Sequence, residues 1–79
     1  MSTIIKPEYY HINGIDVIEY AKITFGYDAA KAFCRINVLK YVVRYEQKNG
    51  IEDLHKAITY VTRLIELERE QDELENTNE

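Results

Sequence analysis

With 79 residues the chain has room for one small domain, and so short a chain buries a limited share of its surface, which makes oligomerisation the expectation. Hydrophobic residues at 46% exclude wholesale disorder, yet no apolar run comes near the roughly 20 residues needed to cross a bilayer. The formal net charge of −4 conceals a split: residues 66–79 carry seven acids against Arg69, while Lys31 to Arg63 nets +4, a pattern that suits a phosphate-bearing ligand at the centre and suits duplex DNA poorly.

Met1 to Asn13 shows no helical period, holds the only proline and clusters Tyr9, Tyr10 and His11, so residues 1–13 are expected to form an extended arm. Pro7 biases Lys6 away from helix, and Asn13-Gly14 is a turn signal. The first ten residues lack the basic region, apolar block and cleavage site of a secretory signal, and single Cys34 cannot close an intramolecular disulfide; an intracellular, cytoplasmic protein is expected.

Residues 14–67 are expected to form an all-α domain. Ile15, Val17, Ile18, Ala21 and Phe25 fit a short helix stopped by Gly26; Asp28 is a candidate N-cap for a second helix reaching about Gln47. This second helix is apolar on two flanks, Cys34, Val38, Val42 and Tyr45 on one, Ala32, Ile36, Leu39 and Val43 on the other. Such a helix must be central in the fold or shared with another subunit. A third helix should start near Ile51 or Glu52 and pass Ile65, with Leu54, Ile58, Val61 and Ile65 as its apolar stripe. Beyond it, residues 68–79 are expected to be an acidic tail, frayed helix or disordered. The architecture is a small helical hairpin with a short preceding helix and an arm, assembled into a homo-oligomer.

The informative stretch is Asn37 to Ala57. At about 100° per residue, Lys40, Arg44, Lys48 and Tyr41 fall within about 100° of one another around Asn37. One face of the second helix thus carries an amide, three cations and a phenol. After the break at Asn49-Gly50, Asp53, Lys56 and Tyr60 share a sector of the third. Phosphate favours Lys or Arg, a base favours an aromatic face, and a ribose or base edge favours Asn or Asp. Plainer roles stand beside these: the cations as a solvated face, Arg44 and Asp53 as an ion pair fixing helix register, Tyr9 and Tyr10 as residues that pack the arm or else lie over a base.

Other chemistries find no purchase. Gly14, Gly26 and Gly50 are isolated, so no glycine loop cradles a phosphate. His11 and His55 lie in no metal-ligand spacing, and Ser2 has no nucleophile context. Cys34 sits on an apolar flank, as a small core residue does.

The residues Pro7, Tyr10 and Gly14, then Asn37-x-x-Lys40-Tyr41-x-x-Arg44, Lys48-x-Gly50, Asp53-Leu54-x-Lys56-Ala57 and Tyr60 resemble the signature of a family of small phage-encoded proteins of unknown function, over about Pro7 to Ile65. Tyr9 stands where that family has His, and Asp16 where it has Glu; His11 is near enough to take the place of the missing His. A larger phage member is regarded as an oligomeric deoxynucleoside monophosphate kinase lacking the usual nucleotide motifs, so the resemblance implies nucleotides as ligands.

Three functions are therefore in view. The first is capture of a nucleotide or cyclic signalling nucleotide by a phage accessory protein that counters host defence, with Tyr10, Asn37, Lys40, Tyr41, Arg44, Lys48, Asp53, Lys56 and Tyr60 as ligand-binding residues and no cofactor. The second is a nucleoside monophosphate kinase with a site composed across subunits, which would need magnesium and ATP. The third is an inhibitor of a host protein acting through the acidic tail or a helix face.

Overall fold

The computed structural model describes residues 11–12 and 15–77. His11–Ile12 (β1) and Ile15–Asp16 (β2) form a two-residue antiparallel pair, with His11 opposite Asp16 and Ile12 opposite Ile15. Three helices follow: α1 (Val17–Phe25), α2 (Tyr27–Arg44) and α3 (Ile51–Thr77), the last two joined through a 3-10 turn at Tyr45–Gln47. The fold is all-α, and the arm expected over residues 1–13 lies largely outside the described residues.

Local chemistry sets the boundaries. The carboxylate of Asp16 accepts the Glu19 N–H at 2.8 Å and caps α1. Gly26 ends α1 at φ +99° and ψ 172°, a conformation open to glycine, and donates to Lys22 O at 2.9 Å. No side-chain cap bond opens α2: Asp28, expected as its N-cap, sits inside the first turn because the helix has already begun at Tyr27. At the far end Gly50, at φ +62°, donates to Tyr45 O at 2.8 Å and turns the chain into α3.

α2 and α3 are antiparallel, as Arg44 with Asp53, Phe33 with Tyr60 and Lys31 with Gln71 show. Ile18 of α1, Ala30 and Cys34 of α2 and Leu67 of α3 form the buried core, with Val17, Ala21, Tyr27, Phe33, Tyr60 and Leu64 packed around it. Burial pushes the Cys34 thiol up, with Arg63 opposing the shift.

Residues 68–77, in the stretch expected to be an acidic tail, frayed helix or disordered, continue α3 as helix to Thr77, and the part up to Gln71 is tied to α1 and α2. Leu67 is 2% exposed. Lys22 Nζ lies 2.9 Å from Glu70, Tyr27 donates to the same carboxylate at 3.2 Å, and Lys31 reaches Gln71 at 2.8 Å and Glu68 at 3.3 Å. Two of the acids that look solvated in sequence, Glu68 and Glu70, thus meet cations of α2 and α1. Nearby, Arg63 clasps the α1 cap residue Asp16 at 2.7 Å and 3.4 Å.

The two apolar flanks of α2 fare differently. On the first, Cys34 is buried and Val38 and Tyr45 half-buried while Val42 is 46% exposed; on the second, Ile36, Leu39 and Val43 are 64%, 63% and 68% exposed. Within one chain α2 is therefore an outer helix, buried along the Ala30–Cys34–Asn37 line and open on much of both flanks. The Cα envelope measures 47 × 27 × 15 Å, about two helix layers deep, so every helix keeps a face in the open.

Candidate functional site

Where α2 runs into the turn and α3 leaves it, the polar residues converge on one carboxylate. Asp53 has no exposed surface although it is ionisable. Arg44 Nε lies 3.3 Å from its Oδ2 and Nη2 lies 3.4 Å from Oδ1. Asn49 adds its backbone N–H at 3.3 Å and its side-chain amide at 3.1 Å, and Lys56 Nζ stands 4.0 Å away. Burial alone would raise the Asp53 carboxyl, but the Arg44 and Asn49 donors and the Arg44 charge outweigh it and hold the group below the usual carboxylate range. The sequence builds this locally: Asp53 is in the first turn of α3, where a carboxylate can reach back to the N–H of a residue before the helix, and Gly50 makes the bend that brings Asn49 over it.

Above the carboxylate lies a short aromatic ladder. Tyr41 stacks on Tyr60 with centroids 6.1 Å apart and planes 18° from parallel, and Phe33 meets Tyr60 edge-on at 6.0 Å. Three cations gather at the Tyr41 ring: Lys40 Nζ at 4.6 Å, Arg44 Cζ at 4.9 Å and Lys56 Nζ at 5.5 Å from its centroid. Arg44 and Lys56 keep 33% and 42% of their side-chain surface exposed, and Lys40 is exposed as well. Three cations against one satisfied carboxylate leave an accessible positive surface beside aromatic rings.

The structure thus brings Lys40, Tyr41, Arg44, Asp53, Lys56 and Tyr60 together. Asn37 shares their face but is 8% exposed and donates its amide to Phe33 O at 2.9 Å, turning back onto its own helix. Lys48 is exposed on the turn, its backbone N–H donating to Tyr45 O at 3.4 Å. Tyr10 lies outside the described residues. Sequence reasoning missed Asn49 as a partner of Asp53 and Arg63 as a partner of Asp16; the four-residue step from Asn49 to Asp53, and the position of Arg63 three residues beyond Tyr60, were the available signals.

Among the described residues no three His, Cys, Asp or Glu side chains converge as a metal cluster, and no helix is long and apolar enough to cross a membrane. A shallow depression lined by Tyr27, Glu70, Glu73 and Leu74 lies toward the opposite end of the hairpin and is acidic, so it does not extend the cationic surface.

The chain is thus an all-helical hairpin with a cationic, aromatic surface at its turn. Residues 4–62 match the family model described as Protein of unknown function (DUF3310), and the chain belongs to that family. The match contains the whole turn and every residue of the cluster, and it stops just short of Arg63 and Leu67. Neither the curated proteins nor the solved structures yield a match.

Proposed function

We propose that the protein binds a nucleotide or nucleotide-like signalling molecule through Lys40, Arg44 and Lys56, with the Tyr41–Tyr60 pair as the neighbouring aromatic surface, and that it holds the ligand unchanged. The observation that carries this is the gathering of three partly exposed cations at 4.6–5.5 Å from one tyrosine ring. A phosphate drawn between Lys40 and Lys56 meets charge from both helices at once. Capture is favoured over phosphoryl transfer because Asp53, the carboxylate at the centre, already accepts from Arg44 and Asn49 and has no surface exposed. In a phage-encoded setting such capture would keep a host signal from its receptor. Inhibition of a host protein through the acidic end has less support, since Glu68 and Glu70 are engaged by Lys31 and Lys22 within the chain.

Native mass spectrometry of the protein taken from its host lysate tests this reading. A retained nucleotide that survives addition of magnesium and ATP supports capture. Conversion of an added monophosphate to a diphosphate moves the function to a kinase, and absence of any retained or added nucleotide overturns both.

A further inference from the structure

The cation cluster and α1 occupy the same side of the α2–α3 hairpin: Lys56 and Arg63 of α3 turn that way, Arg63 to meet Asp16 at the start of α1. The opposite side is apolar. There α3 presents Leu54, Ile58, Val61 and Ile65, and the handedness of an antiparallel hairpin lays Val38 and Val42 of α2 beside them. Ile58, Val61, Ile65 and Val42 are 58%, 39%, 46% and 46% exposed. With Ile51 at its start, the α3 stripe steps by three and four residues in alternation, isoleucine at one repeated position and leucine or valine at the other, which is the spacing of a helix seam made to meet another helix.

We infer that a second copy of the chain covers this face, two hairpins closing into a four-helix bundle about a two-fold axis, with α3 antiparallel to its mate and the cation clusters on the outer sides. Two considerations select a second copy. Burying the face removes on the order of 600 Å² from each chain, close to what a stable interface takes. The single-chain core of Ile18, Ala30, Cys34 and Leu67 is small for 79 residues, a deficit that a symmetric partner removes. The other exposed stripe, Ile36, Leu39 and Val43 on α2, offers three large apolar side chains against the six of this face and buries correspondingly less against a copy of itself.

Sedimentation equilibrium and oxidative cross-linking of the full chain test the inference. The wild type is expected to sediment as a dimer or a multiple of it. Ile58→Cys is expected to link to its mate under mild oxidant, whereas Leu39→Cys stays unlinked; cross-linking reads the interface without requiring that a destabilised variant fold alone. Ile58→Asp should dissociate the pair or unfold it, at least tenfold weaker in either case. A monomeric wild type, or linking at Leu39 with none at Ile58, overturns the proposal.

Discussion

Arg44 and Asp53, nine residues apart, meet across the turn between α2 and α3, the guanidinium 3.3 Å and 3.4 Å from the two carboxylate oxygens. The pair joins fold and candidate function, because the same guanidinium lies 4.9 Å from the Tyr41 ring. Arg44 is therefore a poor residue on which to test ligand binding alone: its removal leaves a carboxylate buried without its charge partner. Lys40, exposed, and Lys56, partly exposed and 4.0 Å from the carboxylate, are the cleaner probes.

Acid should weaken the protein through Asp53. Its carboxyl titrates lower in the folded chain than in the unfolded one, so its stabilisation is fully present above about pH 4, the unfolded value, and is lost as pH falls through the folded value. Glu70 is shifted the same way, first by the hydrogen bond from Lys22. Thermal melts at pH 7, 4 and 2.5 should show a falling Tm, and Asp53→Asn should flatten the drop while lowering Tm at pH 7. An unaltered acid profile in that variant would show that Asp53 is not the titrating group.

The two bends should differ in tolerance. A Cβ at Gly26 or Gly50 meets nothing within 4 Å, so the cost of substitution comes from the backbone alone. Gly50 at φ +62° is in the left-handed region that Asn also visits, so Gly50→Ala should cost about 1 kcal/mol and Gly50→Asn less. Gly26 at φ +99° and ψ 172° lies where side chains rarely go, and Gly26→Ala should cost about 1–3 kcal/mol. Urea denaturation of the three variants checks the order.

Leu67 should behave as core although it lies among acids. Leu67→Ala is expected to destabilise by about 2–5 kcal/mol, comparable with other buried leucines, and truncation after Ile65 should lose the same contact and the Lys22–Glu70 and Lys31–Gln71 clasps as well. Circular dichroism melts decide: a full-strength fold without residues 66–79 would make the end of α3 dispensable.

Cys34 should resist thiol reagents. It has no exposed surface, and burial raises its thiol, so the reactive thiolate is scarce in the folded state. Ellman's reagent should react slowly in native buffer and stoichiometrically in denaturant.

The helices were legible because glycine punctuates them: Gly26 and Gly50 stop periodic runs that are otherwise unbroken. The polar cluster was legible as a set of faces, since Lys40, Tyr41 and Arg44 share a sector and so do Asp53, Lys56 and Tyr60. A helical wheel does not say which way a sector points, and so Asn37 reads as a ligand residue when it turns inward to Phe33 O. The end of α3 was obscured by local charge counting. The step from Tyr60 through Leu64 to Leu67 and Gln71 continues the core face, but the cations that hold the acids, Lys22 and Lys31, are 48 and 40 residues distant from Glu70 and Gln71.

Titration calorimetry with a panel of mono-, di- and cyclic nucleotides, on the wild type and on Lys40→Ala/Lys56→Ala, reads nucleotide binding at the cation cluster. A nucleotide is expected to bind the wild type with an affinity that falls as salt rises, and to bind at least tenfold more weakly to the double variant, whose circular dichroism melt stays close to that of the wild type. Nucleotide binding that ignores both substitutions, or none across the panel, would contradict it.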